Sequence, residues 1–505
     1  MAPRRPSAFV ARVRDLFSDR RKNTHVLPTL STPRRWGVLL LSALVSGCVT
    51  LSPESELDDA AALIAARSGL PIPKLRAEDE RPSEWTLDRP IGIREAASLA
   101  LQRHPLLRAE IERITEARAD FAQAHLLPNP VLTFAYGVPI DGMSGTPLMA
   151  SAIEQVAALW KRPARIDSAD AALRARVLVL SDIALRLVAD VRTRYCEAVH
   201  AERQTEIERR RVVALAERRA LIEAMFDAGE ATRRAFNRAR VDEARARERA
   251  HRSEEGWALA RRRLAERLAI APGDESRLRL DPTSIDVAPG GFLSTRDRAL
   301  LDAPPIDEAE TARLVARRRL DVLAAYVAVD GRSATTRLAV AERWPEIGVG
   351  AQVQENFSER QGIFPTVSIV PDLFDTGRVA VAKARAIEHR SLAEADALLL
   401  AALLEARTAW IRAETQRRRC ADLGNALDAM QENEVLAYAQ HEIGTASRQE
   451  ALDETARRLE LEREVDEATL ALRVARIELE RAVGGSFVED DAAATTIADR
   501  GETRR

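Results

Sequence analysis

The chain contains two copies of one sequence pattern. Corresponding residues of the two copies differ by a constant residue number, the difference between Gly229 and Gly444. Further pairs that follow this shift are Arg103 with Arg318, Ala119 with Ala334, Pro130 with Pro345, Arg233 with Arg448, Arg261 with Arg476 and Leu264 with Leu479. A shift that stays constant over about 160 residues requires the same elements with the same lengths in both copies. The sequence therefore predicts one duplicated unit, not two unrelated domains.

The composition favours long helices packed side by side. Apolar residues make up 46% of the 505 residues and charged residues 30%, whereas aromatic residues make up only 4%. This profile, rich in Ala, Leu, Glu and Arg, is typical of long helices with solvated charged faces. The net charge is -2, and acidic and basic residues are interleaved, so no basic stripe is offered to a nucleic acid. We therefore expect a mainly α protein with no nucleic-acid partner.

The N-terminal segment has the pattern of an export signal. Arg34 and Arg35 precede an apolar run over residues 36–47, which is too short for a permanent membrane span. Residues 45–48 resemble the bacterial lipoprotein box. That resemblance implies that Cys48 is the lipid anchor and, because Val49 follows it, that the protein is sorted to the outer membrane. An ordinary signal peptide with a chance cysteine is the alternative.

Composition also divides the chain into segments. Predicted are a signal peptide (1–47), a lipidated extended segment (48–90), the first repeat (91–270), a linker rich in Pro and Gly (271–305), the second repeat (306–485) and a disordered tail (486–505). Cys196 and Cys420 do not correspond in the repeat, and each lies in a helical apolar pattern. We expect buried thiols there, although the sequence leaves a disulfide open.

Each repeat contains one very long helix. Apolar residues spaced by three and four continue over 166–198 in the first repeat and over 399–430 in the second. No Pro or Gly occurs after Pro163 until past Phe226. The first helix is therefore predicted from Arg162 to Phe226, roughly 95 Å, and such lengths predict coiled-coil packing.

A short strand-like insert interrupts the helices of each repeat. Large apolar residues alternate with small or polar ones over 132–138 and again over 347–353. This alternation suits a barrel wall between lipid and a watery lumen. Second strands around 147–159 and 364–374 complete hairpins near 131–159 and 346–374. Since a closed barrel needs about eight strands, the chain must oligomerise to close one.

An ordered set of motifs resembles the TolC-like outer-membrane efflux protein family. The motifs are Leu-Pro-Asn-Pro-Val-Leu at 127–132, Trp-Lys-Arg at 160–162, Asp-Thr-Gly-Arg at 375–378, and Gly229 with Thr232 and Gly444 with Ser447 at the same spacing. The resemblance covers about residues 90 to 485, including the duplication. It implies a trimeric twelve-stranded outer-membrane β-barrel that continues into a long periplasmic α-helical coiled-coil barrel. The first two motifs are most similar to the cation-efflux branch.

Gly229 and Gly444 are predicted to mark helix reversals, because a Gly inside a helical pattern costs about 1 kcal/mol relative to Ala. Thr232 and Ser447, three residues later, are predicted to cap the outgoing helices. In the family these reversals form the periplasmic tips at which the adaptor docks. Many relatives have an aromatic residue where this chain has His441.

Glu450 and Asp453 lie three residues apart, on one helical face. In a trimer they would form acidic rings that act as a gate and favour cations. Two solvated acids are the alternative interpretation.

Enzymatic functions are not supported by the motifs. The sequence contains no glycine-rich phosphate loop, no His/Cys spacing for a metal and no G-x-S-x-G turn. The isolated His104, His125 and His441 are expected to be surface or packing residues. We therefore expect no enzyme, no cofactor and no resident metal.

The predicted function is a lipid-anchored outer-membrane channel that extends into the periplasm. It would be the exit duct of a tripartite efflux system, conducting metal cations or drugs passively. The predicted partners are two further copies in a homotrimer, a periplasmic adaptor (membrane fusion) protein, an inner-membrane pump of the RND type and outer-membrane lipid. Two alternatives stay open: an exit duct for type I secretion of polypeptides, and a structural coiled-coil protein.

Overall fold

The computed structural model describes residues 52–70, 75, 89–138, 148–285, 308–355, 361–371 and 376–485. Cys48 and the predicted signal peptide and tail lie outside these residues. The described chain is mainly α with one small antiparallel sheet. None of its helices combines the length and the apolar character needed to cross a membrane.

The elements follow the duplication. In chain order they are α1 (Glu54–Ser68), α2 (Ile93–Arg103), α3 (Pro105–Ala124), β1 (Val131–Tyr136), β2 (Leu148–Gln155), α4 (Ala157–Asp227), α5 (Arg233–Arg267), α6 (Glu308–Arg318), α7 (Leu320–Ala341), β3 (Glu346–Glu355), β4 (Gln361–Val370), α8 (Arg378–Glu442) and α9 (Arg448–Ala482). Helices α2 and α6 begin and end at residues related by the shift that takes Gly229 to Gly444. The same is true of α5 and α9. Two short 3-10 helices, Asp274–Arg277 and Pro282–Ile285, follow α5.

The two hairpins join into one four-stranded sheet with the order β1-β2-β3-β4, antiparallel throughout. The repeats meet where β2 pairs with β3, for example Ala152 opposite Ala351. The second strand of each hairpin differs from its predicted range, since β2 ends at Gln155 and β4 begins at Gln361. The described sheet therefore has two open edges, β1 and β4.

The first long helix extends slightly beyond its predicted bounds. Helix α4 has 71 residues and begins at Ala157, ahead of the predicted start at Arg162. Burial explains the difference, because Ala157, Ala158, Lys161 and Ala164 are covered by neighbouring residues and the helix runs through Pro163. At 1.5 Å per residue α4 is about 105 Å long. Its counterpart α8 has 65 residues.

The predicted extended segment 48–90 is wrong over part of its length, because α1 lies within it. Leu57, Ala60 and Ile64 recur at helical spacing and are buried in the main core. Gly69 ends the helix in the left-handed conformation, with its N–H bonded to the Ala65 carbonyl. The Pro and Asp content of the segment concealed this apolar face, which packs against α4.

The main core lies where α1 to α4, the end of α5 and the start of the linker meet. Tyr195 is fully buried there, and its hydroxyl lies 2.8 Å from the carbonyl oxygens of both Ile91 and Asp281 and 3.0 Å from Ser284 Oγ. The backbone of Ile91 also forms a bridge with Leu280. The first part of the predicted linker is thus attached to the first repeat.

Cys196 and Cys420 are both buried thiols, as the sequence led us to expect. The sulfur of Cys420 lies 3.6 Å from Thr469 Oγ1, inside a small cluster between α8 and α9.

Candidate functional site

The sheet carries one mainly apolar face. Phe134 pairs with Ala150, Ala150 with Val353, and Val353 with Ile363, so these side chains share one face across all four strands. The remaining members of this face are Leu132, Tyr136, Leu148, Ala152, Glu154, Ile347, Val349, Ala351, Pro365, Val367 and Ile369, with Glu355 and Gln361 at its edge. Phe134 and Tyr136 are 72% and 78% exposed. An exposed apolar surface of this kind indicates contact with lipid or with another chain.

The opposite face of the sheet is small or polar at most positions. Thr133 pairs with Ser151, Ser151 with Gln352, and Gln352 with Phe364. Gly348, Gly350, Gln354, Thr366 and Ser368 also belong to this face, together with Val131, Ala135, Met149, Ile153, Gln155, Gly362 and Val370. The alternation predicted from the sequence is therefore present in the sheet, with an apolar side and a mixed, more polar side.

The helix reversals at Gly229 and Gly444 have the same backbone geometry. Their φ angles are +78° and +80°, the left-handed region that favours glycine. In each reversal the N–H groups of the two residues after the glycine reach one carbonyl, that of Met225 or of Gln440, at 2.8 to 3.2 Å. No atom lies within 4 Å of the position of a Cβ at either glycine. The glycines are thus required by φ and not by close packing.

The predicted caps are present on the outgoing helices. The Thr232 hydroxyl accepts a hydrogen bond from the Ala235 N–H at 3.2 Å. Ser447 accepts from the Glu450 N–H at 3.2 Å, and the Glu450 carboxylate accepts from the Ser447 N–H at 2.9 Å. The second reversal therefore has a reciprocal capping box, whereas the first has a single side-chain bond.

Different side chains surround the two reversals. At the first, Phe226 and Phe236 stack with ring centroids 5.5 Å apart. At the second, His441 stands at the position that corresponds to Phe226, and its Nδ1 lies 3.3 Å from the Ala446 carbonyl oxygen. Ile443 is 75% exposed there. The stacked pair was not predicted, although two Phe residues placed around Gly229 were a usable signal.

Asp453 is paired within the chain. Its carboxylate lies 2.7 Å from Arg218 Nε, and another nitrogen of Arg218 lies 3.2 Å from Asp242. One guanidinium thus joins α4, α5 and α9 near the reversals. Glu450 is engaged in the capping box, so both acids of the predicted gate have partners in the described chain.

A ladder of ion pairs joins α4 to α9. In each pair α4 supplies an arginine and α9 a carboxylate: Arg192 with Glu480 at 2.7 Å, Arg203 with Asp466 at 3.5 Å, Arg210 with Glu462 at 2.6 Å and Arg218 with Asp453 at 2.7 Å. The α4 numbers rise while the α9 numbers fall, so the helices are antiparallel. The ladder places Gly229 and Gly444 at the same end, because Arg218 lies shortly before the first and Asp453 lies shortly after the second.

The three isolated histidines have structural contacts. Buried His104 precedes α3, and its Nδ1 accepts a hydrogen bond from the Leu106 N–H. Burial and the positive charge of Arg267 lower the pKa of His104, which favours the neutral ring that can accept this bond. His125 contacts the Phe121 carbonyl oxygen at 2.9 Å. Within the described residues no group of three or more His, Cys, Asp or Glu side chains is arranged to hold a metal ion.

No family model and no curated protein matches the amino-acid sequence, but solved outer-membrane channels match the structure. The outer-membrane channel OprN aligns with a TM-score of 0.62 and 19% identity, over 82% of this chain and 99% of that chain. The outer membrane protein VceC from Vibrio cholerae aligns with a TM-score of 0.62 and 18% identity, over 78% and 96%. The CmeC outer membrane channel of Campylobacter jejuni aligns with a TM-score of 0.63 and 12% identity, over 86% and 98%.

The chain therefore has the fold of the TolC-like outer-membrane channels. The predicted mainly α fold with a small antiparallel sheet is confirmed by this likeness. Nearly the whole length of each of those channels is covered by this chain, so the shared fold includes both the sheet and the long helices.

Proposed function

We propose that this protein is the outer-membrane exit duct of a tripartite efflux system. The observation that carries the proposal is the open four-stranded sheet, mainly apolar on one face and mixed polar on the other, attached to two helices of about 100 Å. A sheet of this kind suits a wall between lipid and water, and helices of this length suit a conduit across the periplasm. The duct conducts passively, so its pump selects metal cations or drugs as substrates.

Closure of the duct requires further copies of the chain. Open strand edges cannot face lipid, because unpaired backbone groups there cost several kcal/mol each. If β4 of one copy pairs with β1 of the next, three copies close a ring of twelve strands, within the range of membrane barrels. A homotrimer is therefore the proposed assembly.

The helix reversals are the proposed docking site of a periplasmic adaptor protein. They lie at one end of the long helices, and exposed Ile443 sits beside Gly444 and Ser447. The first reversal offers Gly229 and Thr232 in the same backbone geometry. An inner-membrane pump of the RND type then completes the system through the adaptor.

The barrel proposal is tested with two neighbouring positions on β1. Phe134→Arg places a charge on the apolar face, which costs roughly 2 to 4 kcal/mol in a membrane barrel wall. Thr133→Arg places the same charge on the mixed face and serves as the control. We expect only Phe134→Arg to block the heat-sensitive oligomer in isolated outer membranes. Equal insertion of both variants would contradict the barrel assignment.

The substrate class is tested by deleting the gene and measuring resistance to metal cations and drugs. Loss of resistance that wild-type protein restores supports efflux. Loss of a secreted polypeptide with unchanged resistance would instead favour the type I secretion duct. A chain that fractionates as soluble protein would favour the structural coiled coil.

The lipid anchor is proposed at Cys48. It follows the apolar run of the export signal, and its acylation would tether the chain to the outer membrane. Cys48→Ala should abolish labelling with a radioactive fatty acid. Labelling that persists in this variant would disprove the anchor.

The acidic gate is proposed at Glu450 and Asp453. For Asp453 to act on passing cations, its ion pair with Arg218 must open or leave residual negative potential at the entrance. Asp453→Asn should lower the cation selectivity of single channels in planar bilayers. Glu454→Gln, which removes a carboxylate paired with Arg457, is the control and should leave selectivity unchanged.

A further inference from the structure

Helices α5 and α8 form the two outer edges of the helical wall. Helix α5 packs mainly against α4, and α8 packs mainly against α9 and α7. Each keeps one long face uncovered by the described residues. These faces lie on opposite sides of the α4–α9 ladder.

The uncovered face of α5 carries a basic stripe, which we define as Arg234, Arg238, Val241 and Arg245. The spacing of four, three and four residues places all of them on one side of the helix. All of them are exposed, and no ion pair is formed by these three arginines with any described residue. The stripe is a row of uncompensated positive charge around a single valine.

The uncovered face of α8 carries an acidic stripe, which we define as Asp428, Glu432 and Val435. The spacing of four and three residues again gives one side of a helix. All three side chains are exposed, and neither carboxylate has an ion pair in the described part of the chain. Glu434, by contrast, lies outside the stripe and is bound to Arg458 at 2.5 Å.

The two stripes match in register when residues are counted from the reversals. The number of residues from Gly229 to Arg245 equals the number from Asp428 to Gly444. Val241 and Glu432 are likewise equally far in sequence from their glycines, and so are Arg238 and Val435. Because the ladder holds both reversals at one end, residues at equal counts lie at equal height along the wall.

We propose that the basic stripe of one copy packs against the acidic stripe of the next copy. Helices α5 and α8 run in opposite directions, so Arg245 meets Asp428, and Arg238 reaches Glu432 across the valines. The occupant is a second copy because charge, spacing and height are complementary over the same stretch of helix. This inference rests on the proposed function, in which copies close a ring.

Cross-linking tests the contact directly. In the full-length protein in outer membranes, Arg245→Cys with Asp428→Cys should form disulfide-linked dimers and trimers on mild oxidation. Arg240→Cys with Asp428→Cys is the control, because Arg240 is exposed on α5 but lies over the Phe236 ring, outside the stripe. Equal cross-linking of both pairs, or of neither in an intact oligomer, would overturn the contact.

Charge reversal tests the electrostatics. Arg245→Glu and Asp428→Arg should each make the extracted oligomer about tenfold less stable to dilution at low salt, because like charges then oppose each other. The double variant should regain at least half of that loss, and Arg240→Glu should have no effect. Absent rescue overturns the pairing. Lost adaptor binding with an unchanged oligomer would assign the stripe to the adaptor instead.

The two proposals fail in different ways. A chain that stays monomeric in the outer membrane contradicts the exit duct and this contact together. If a heat-sensitive oligomer forms and export is normal, while the charge reversals have no effect and no specific cross-link forms, only the contact is contradicted.

Discussion

In the first repeat α4 reverses into α5 at Gly229, and in the second α8 reverses into α9 at Gly444. The two glycines have nearly equal φ angles, +78° and +80°, and both reversals use the same pair of hydrogen bonds to one carbonyl. Their reinforcement differs, since a stacked Phe226–Phe236 pair closes the first and the Ser447–Glu450 capping box stabilises the second. The duplication thus preserves the backbone path, and the side chains around it have diverged.

The far ends of the two outgoing helices show the same contrast. Ala269, after α5, has a φ of +53°, and Gly484 is at the corresponding position after α9 with a φ of +89°. At Gly484 a Cβ would lie 2.6 Å from the carbonyl carbon of Arg318. One repeat therefore tolerates a strained alanine where the other needs glycine for close packing as well.

The largest expected effect separates these two positions. Gly484→Ala should lower the free energy of unfolding by about 3 kcal/mol, because strain in φ adds to a backbone clash. Ala269→Gly should raise it by about 1 kcal/mol, since left-handed strain is relieved. Thermal midpoints of the detergent-extracted protein measure both. Gly69→Ala, with positive φ and open space, is the control for strain alone.

The next effect concerns the reversals. Gly229→Val and Gly444→Val should each cost about 2 kcal/mol, because both glycines have the same φ region and the same open surroundings. Assembly of the oligomer should survive, since the sheet is far away. Export and adaptor cross-linking should fall for Gly444→Val. Normal export by this variant, or complete loss of the oligomer, would contradict a docking role.

A smaller effect should distinguish the caps. Thr232→Ala removes one hydrogen bond and should cost about 1 kcal/mol or less, whereas Ser447→Ala breaks a reciprocal pair and should cost up to about 2 kcal/mol. Thermal midpoints again provide the comparison. Equal losses would show that the capping box adds nothing to the single bond.

The smallest effect is a pH dependence confined to the second repeat. Hydrogen bonds from Arg417 and Arg418 hold the pKa of Glu414 at about 2, and the first repeat has buried Val199 at the matching position. A carboxyl with a lowered pKa stabilises the fold above its ordinary value of 4.5, and this stability is lost as pH falls towards 2. The thermal midpoint of the Glu414→Gln variant should change less between pH 5 and pH 3 than that of the wild-type protein. Identical profiles for variant and wild type would refute the assignment.

The elements that the sequence predicted best are those with a local signal. Strand alternation at 132–138, of which the part up to Tyr136 lies in β1, the caps at Thr232 and Ser447, and the left-handed glycines all follow from short-range chemistry. Helix α1 was missed because its apolar face is short and surrounded by Pro and Asp. Arg218 was missed because Asp242 and Asp453, which it joins, are distant in the sequence.

The duplication, the long helices and the reversals could be predicted from the amino-acid sequence, because each depends on periodicity or on backbone conformation at single residues. The folded structure was needed to show that β2 pairs with β3, that α4 lies antiparallel to α9, and that Asp453 is bound by Arg218. These facts depend on which elements meet in space. Pairing of this kind depends on burial and charge between residues of different repeats, which are far apart along the chain. Local sequence patterns therefore do not predict it.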